Sequence, residues 1–470
     1  MAEAAKPSNM EKNLRVLTDE IGGRVPGTPA LRRAVDWGMN AFRAAGADSV
    51  AIEPYNIAVG WQEGNTSVHV ASPVEFKVRS ISFGWSPAFS TKVDGKDKPV
   101  RIVDIGEGSP DDFKKAGNIT GAILLLHSNT MKSWDDLFAE YLNLPPIVDR
   151  AIAGKAAAIA SMSTRPRDLM YRHIYSAPGK LSPFPMMQFA REDAQRIARL
   201  LADGKKVTLS INMPNQVKPE FKAWNVVAEI KGSEKPDEWV LLGAHLDSWE
   251  LGTGALDNGC NAALVIDALH AIKASGMKPK RSIRFVLFTG EEEGMLGSHA
   301  YVAQHHSEMA NGVGVLVFDE GTGAATGYSL GGRKDIEAPV KKLTELLRSL
   351  GIETMTDDAF VGTDNLDFLL EGVPNLVANQ KEANYLENYH AQSDTFDKVD
   401  LAQLRKHVIA AATTIFAIAD APERIGKRQN LVETEALIKQ TKLDEQMKLF
   451  LVWDFWAEVK ARREKDSVKK

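Results

Sequence analysis

Trp239-Val-Leu-Leu-Gly-Ala-His245-Leu-Asp247 is an apolar run that ends in an imidazole and a carboxylate. A run of this kind reads as a strand buried on both faces, as in parallel sheets. Two more runs share the form. Ile283-Arg-Phe-Val-Leu-Phe-Thr-Gly leads into Glu291-Glu292-Glu293, and Gly314-Val-Leu-Val-Phe leads into Asp319. Further strands are predicted at Val226–Ile230 and Asn375–Val377, with amphipathic helices near Ala262–Ala274, Ser298–His305, Ala338–Leu350 and Leu401–Ile418. Strand and helix in alternation predict an α/β fold, a mixed and largely parallel sheet flanked by helices. Ligands of such sheets bind beyond the carboxyl ends of the strands. A single Asp after a strand is usually a turn or a helix cap. Three strands that end in His, Glu and Asp at one edge need another cause.

The chain has 470 residues, which predicts two domains rather than one core. Its texture changes between about Pro87 and Asn215, where strand candidates (Val100–Ile105, Gly121–Leu126, Ala157–Ser161, Val207–Ile211) alternate with loops. One clear helix, Arg191–Leu201, lies there, and Ile174–Pro185 reads as a surface loop. This segment looks inserted. The resulting division is 11–86 and 216–425 for the main domain, 87–215 for the insertion, and a helical tail at 426–470. The tail's aromatic residues are expected to pack on the body or on a partner subunit.

Hydrophobic residues make up 44% and charged residues 25%, the balance of a soluble protein. A net charge of −5 with scattered basic residues excludes a nucleic-acid partner. The one cysteine, Cys260, excludes an intrachain disulfide framework and a cysteine-based structural zinc. No apolar run approaches the ~20 residues of a membrane span. Met1–Met10 is polar, and no signal peptide is read in this chain.

Carboxylates gathered at one sheet edge would repel, and their pKa values would rise unless divalent cations offset the charge. His245 and Asp247 add a familiar pattern, since imidazole ligands commonly donate their second N–H to a carboxylate. The Gly-rich loop Gly252–Gly259 makes Asp257 a candidate for a carboxylate shared by two metals. Adjacent residues leaving a strand point different ways, so one of Glu291 and Glu292 can bind metal while the other stays free as general base. His390, in a polar loop before the last helix, supplies a second nitrogen ligand. Each metal would then have one His, one terminal carboxylate and a share of Asp257.

These segments resemble the M28 family of zinc exopeptidases, and within it the carboxypeptidase Q-like branch. The resemblance rests on His245-Leu-Asp247-Ser-Trp249, Gly254-Ala-Leu-Asp257, Glu291-Glu292, Asp319, Gly362-Thr-Asp364 with Gly372-Val-Pro374, and His390 with Ser393-Asp394-Thr395. It covers roughly residues 13–420. It implies the zinc exopeptidase fold with an inserted, mainly β protease-associated domain, two Zn2+ ions and a peptide substrate. By resemblance His245 and Asp319 hold one zinc, Glu292 and His390 the other, and Asp257 bridges. Glu291 is then the general base and Asp247 the partner behind His245. A cis peptide at Asp257–Asn258 is implied as well. Asp364 is left open between a contact to the substrate amine and support of a ligand. Relatives of the branch often dimerise, and family precedent favours a location outside the cytoplasm. This sequence departs from the pattern at Asn258, where close relatives can carry Asp, and at Cys260, where small residues are usual.

Three other readings compete with this one. M20-type metallopeptidases share the chemistry, but their extra domain interrupts the ligand series, whereas here the insertion precedes all five ligands. A catalytically inactive, receptor-like binding protein of the same fold would have lost ligands, and none is missing. Aminoacyl cyclisation at one zinc is the third reading, and retention of both His245 and Asp319 favours the two-metal version.

Overall fold

The three apolar runs lie side by side at the centre of an eight-stranded sheet. The computed structural model describes residues 1–175 and 179–468. Two units make up the chain: one of Met1–Ile57, Lys222–Tyr385 and Asp394–Lys470, the other of Ala58–Phe221 and Leu386–Ser393.

The first unit contains strands β1 (Ser49–Ile57), β2 (Phe221–Ile230), β3 (Lys235–His245), β4 (Arg281–Phe288), β5 (Gly312–Val317), β6 (Ala325–Ser329), β7 (Thr354–Thr356) and β8 (Asn375–Gln380). Their spatial order is β1-β2-β4-β3-β5-β8-β6-β7. The central pairings β3/β4, β3/β5 and β5/β8 are parallel, as is β6/β7. β2/β4 and β6/β8 are antiparallel, so the sheet is mixed and largely parallel.

Side chains of β3 alternate between two cores. Val240, Leu242 and Ala244 join one apolar cluster, with Ala263 and Leu264. Trp239 and Leu241 join another on the opposite face, with Val286, Phe288, Tyr301 and Phe368. Burial on both faces explains the unbroken apolar run. Each Val, Leu or Phe among them contributes about 1.5–3 kcal/mol relative to exposure.

Five helices matter for the site and its surroundings: α1 (Pro29–Ala45), α2 (Cys260–Ala274), α3 (Leu296–Gln304), α4 (Leu401–Asp420) and α5 (Trp453–Val468). α2 packs against α1 and α4 and is buried almost all round, which accounts for its weak amphipathicity. The tail settles on this unit. Phe455, Trp456 and Val459 of α5 are buried, and the Phe455 ring stacks on His299 at 3.8 Å. The predicted helix Ala338–Leu350 is shorter than expected, an α-helix over Glu337–Leu343 followed by a 3-10 turn over Glu345–Leu350.

The second unit is built on a nine-stranded sheet. Val100–Asp104, Ile123–Leu126, Ala158–Met162 and Met186–Phe189 run parallel within it. It begins at Ala58, earlier than the composition suggests, because Ser67–Ser72 and Ser80–Ser82 pair into this sheet. It also carries a helix absent from the sequence reading, Trp134–Ala153. Pro145 and Pro146 speak against a helix there. A capping box of Ser133 and Asp136 opens it nonetheless, and Leu137, Leu144, Ile147, Val148 and Ala151 are buried along it. The predicted surface loop Ile174–Pro185 buries Ile174, Ser182 and Phe184, and residues 176–178 of it lie outside those described. Among the described residues no helix is long and apolar enough to cross a membrane.

Candidate active site

β3, β4 and β5 are parallel, so their carboxyl ends fall together. His245 is the last residue of β3 and pairs in register with Phe288 of β4. Glu291 and Glu292 follow β4 after Thr289 and Gly290, and Asp319 follows β5 after Phe318. The consequence is close contact. His245 Nε2 lies 2.9 Å from Asp319 Oδ1, 3.2 Å from Asp257 Oδ1 and 4.0 Å from Glu291 Oε2.

Asp257 arrives from the turn that precedes α2, and its peptide bond to Asn258 is cis, as the resemblance implied. The turn is held from behind by Asp394. Its carboxylate accepts the N–H of Leu256 at 2.7 Å and that of Asp257 at 3.1 Å. Asn258 is buried and its Nδ2 donates to Asp319 Oδ1 at 2.9 Å and to the Phe318 carbonyl at 3.0 Å. Asn261 in turn donates to Asn258 Oδ1 at 2.6 Å. Below the turn, the buried guanidinium of Arg24 donates to the carbonyls of Leu246, Thr253 and Gly254.

Asp247 differs in detail from the expected pattern. His245 Nδ1 lies 3.1 Å from the Asp247 main-chain carbonyl and 3.7 Å from its carboxylate. That carboxylate instead accepts the Glu292 N–H at 3.2 Å. It thereby supports the loop that carries Glu291 and Glu292 as well as the imidazole.

The carboxyl groups of the site are raised in pKa by burial and by one another. Burial raises the pKa of Glu291, with the charge of Asp319 adding to it; for Glu292 burial acts with Asp257, and for Glu293 with Asp247. Asp247, Asp319 and Asp364 are also raised, in each case first by burial. Burial works against a charged His245, but the carboxylates around it, Asp319 foremost, carry its pKa well above the ordinary value. Asp394 is pushed up to about 7 by burial. Six crowded carboxyl groups facing one buried imidazole are costly in ionised form, and divalent cations remove that cost.

The donor set fits zinc. Ligand atoms of His245, Asp257 and Glu292 lie within 4.8 Å of one another, as do those of His245, Glu291 and Asp319. Zinc bonds of about 2.0–2.2 Å place tetrahedral donors roughly 3.4 Å apart, inside that window. These two groups do not include His390. Its segment, Leu386–Ser393, belongs to the second unit, where the ring stacks on Tyr389 at 3.6 Å and Nδ1 lies 3.0 Å from the Arg172 carbonyl. Asp364 is fully buried and feels the charges of His245, Asp319 and Asp247, which puts its carboxyl in the same electrostatic neighbourhood.

The sequence alone assigns no role to Arg24, Asn258 or Asn261. Asn258 carried a signal, since it stood out as a departure next to Asp257. Arg24 carried none, because its partners are main-chain carbonyls far along the chain.

Residues 225–415 match peptidase family M28. Carboxypeptidase Q of Bos taurus is 27% identical over 423 residues, which is 88% of this chain and 86% of that protein. The human carboxypeptidase Q is 27% identical over 424 residues with the same coverage. Among solved structures, a peptidase M28 precursor from Shewanella amazonensis SB2B matches with a TM-score of 0.80 at 25% identity, over 91% of this chain and 97% of that one. A zinc aminopeptidase from Bacillus subtilis shares the fold, with a TM-score of 0.67 at 18% identity, over 89% and 98%. Three strand ends, the turn at Asp257 and these likenesses agree: residues 225–415 carry the features of a family M28 peptidase, in a chain similar along most of its length to carboxypeptidase Q.

Proposed function

We propose that this chain is a two-zinc exopeptidase that hydrolyses dipeptides or short peptides. The observation that carries the reading is His245, whose Nε2 stands between Asp319 at 2.9 Å and Asp257 at 3.2 Å. His245 and Asp319 would hold one zinc and Glu292 the second, with Asp257 offered to both; His390 is the further nitrogen ligand that the family resemblance implies. Zinc held there would lower the pKa of water and polarise the scissile carbonyl. Glu291 is the general base. Its side chain is 13% exposed, whereas Glu292 is a buried residue. Glu291 takes a proton from the attacking water and returns it to the departing amine. Asp247 holds the His245 ring and the Glu292 main chain at once, and Asp364 is a candidate contact for the substrate amine. The zinc aminopeptidase and carboxypeptidase Q relatives support an exopeptidase.

The test is a hydrolysis screen with zinc added, using free dipeptides, N-blocked, C-blocked and doubly blocked peptides. Free dipeptides are expected to be cleaved and doubly blocked ones spared. Whichever single block stops the reaction identifies the end that is recognised. Absence of cleavage of every peptide overturns the proposal.

A further inference from the structure

We infer that Arg24 is a positioning residue for the metal ligands, fastening together the two chain segments that carry His245 and Asp257. The inference rests on the two-zinc reading above.

Arg24 lies in the irregular stretch before α1, and none of its surface is exposed. Its guanidinium meets main-chain carbonyls. Nε donates to Leu246 at 2.6 Å, Nη1 to Thr253 at 2.7 Å and Gly22 at 3.0 Å, and Nη2 to Gly254 at 2.9 Å. Leu246 is the residue directly after His245, and Gly254 opens the turn into Asp257. One rigid fork therefore sets the separation between the peptide that follows one ligand and the turn that presents the other. The main chain of Arg24 joins in, its N–H donating to Ser248 Oγ at 3.1 Å.

The turn is shaped around this side chain. Gly254 has φ +61°, and a Cβ there would stand 2.8 Å from Arg24 Nη2 and 2.3 Å from the Ser248 side chain. Asp394 completes the fastening. Besides the N–H groups of Leu256 and Asp257, its own carbonyl accepts the Thr253 N–H at 2.8 Å. Peptides from Thr253 to Asp257 are thus held by a cation below and a carboxylate beside them.

Stability alone does not account for the arrangement. A buried charge is costly to desolvate, and apolar residues of similar volume commonly serve stability as well or better. What a guanidinium adds is geometry: five donors in a fixed plane. Lysine, with three donors on one nitrogen, cannot reach four carbonyls that arrive from different directions. Outer partners of metal ligands matter at this level, and their loss typically weakens metal binding 10–100-fold.

The test compares wild type with Arg24→Lys, Arg24→Gln and Asp394→Asn. Zinc affinity of the folded protein is measured by competition with a chromogenic chelator, and the melting temperature of the metal-free protein beside it. Arg281→Lys is the control, since Arg281 is also buried and donates to the Ala421 carbonyl. Both Arg24 variants are expected to bind zinc 10–100-fold more weakly, with Arg24→Lys failing to rescue Arg24→Gln. Asp394→Asn, which keeps the shape and removes one acceptor, should weaken zinc in the same direction and carries the test if the Arg24 variants do not fold. The control should lower the melting temperature and leave zinc affinity unchanged. A lowered melting temperature with unchanged zinc affinity in the Arg24 and Asp394 variants overturns the inference. A wild-type protein that binds no zinc overturns the two-zinc reading itself.

Discussion

Asn258 Nδ2 stands 2.9 Å from Asp319 Oδ1, so the residue beside Asp257 orients a carboxylate that leaves another strand. The contact is itself supported, because Asn261 donates to Asn258 Oδ1 at 2.6 Å and to the Glu320 carbonyl at 2.6 Å. Two amides thereby tie the start of α2 to the end of β5. Asn258→Ala removes the donor and frees the Asp319 carboxylate to rotate. Zinc affinity should fall roughly 10-fold, about 1.4 kcal/mol, at the lower end of what such outer contacts supply. Chelator competition checks this, and unchanged affinity contradicts the role.

Glu291→Gln keeps the shape of the side chain and removes its capacity to take a proton. Zinc content should stay at the wild-type level while turnover of a dipeptide falls about 10²–10⁴-fold, the usual contribution of a general base. Metal analysis and turnover on the same sample separate the roles of Glu291 and Glu292. Near-normal turnover with full zinc content contradicts the assignment.

Much of this site was legible in the strands themselves. β3, β4 and β5 announce their burial by continuous apolar residues, and the edge they share follows from parallel packing. His245, Asp257, Glu291 and Asp319 were readable because each closes a strand or opens a helix after one. Residues that act through the main chain were not. Arg24 looks like part of a Gly/Pro-rich break, and Asp394 stands in the run Ser393-Asp394-Thr395, which gives no hint of the Leu256 and Asp257 N–H groups it accepts. The helix Trp134–Ala153 hid behind Pro145-Pro146, because local propensity was outweighed by its buried face. Where the second unit begins depends on strand pairing, which leaves little trace in composition.

The tail helix α5 is docked through histidines. His299 Nδ1 lies 2.7 Å from the buried Asp367 and Nε2 lies 3.0 Å from Glu458 of α5, with Phe455 stacked on the ring. His306 repeats the motif between Glu371 and Asp466 at 2.8 Å each. Burial opposes a charged His299, but Asp367 and Glu458 outweigh it and raise its pKa. A raised folded pKa stabilises fully below the unfolded value of about 6.5, and that stabilisation is lost as pH climbs through the folded value. Thermal stability should therefore decline as pH rises above about 6.5, and the decline should be shallower in His299→Gln. His305, raised by Glu53 and Glu308, contributes in the same direction in both proteins, so the difference between them reports His299. Identical pH profiles contradict the clamp.

Removing zinc should destabilise the unit that carries His245. Ligand binding to the folded state alone adds about 2.7 kcal/mol when free ligand is 100-fold above Kd. Treatment with a chelator at neutral pH should lower the melting temperature by several degrees, and restored zinc should return it. A melting temperature indifferent to chelator and to added zinc contradicts a structural coupling between metal and fold.

Zinc stoichiometry tests the central claim most directly. Protein saturated with zinc, freed of excess by dialysis and analysed by plasma mass spectrometry should hold two zinc ions per chain. His245→Ala, which removes the imidazole common to both close ligand groups, should hold fewer than two. A wild-type chain without zinc, or a His245→Ala chain that keeps both ions, contradicts the account.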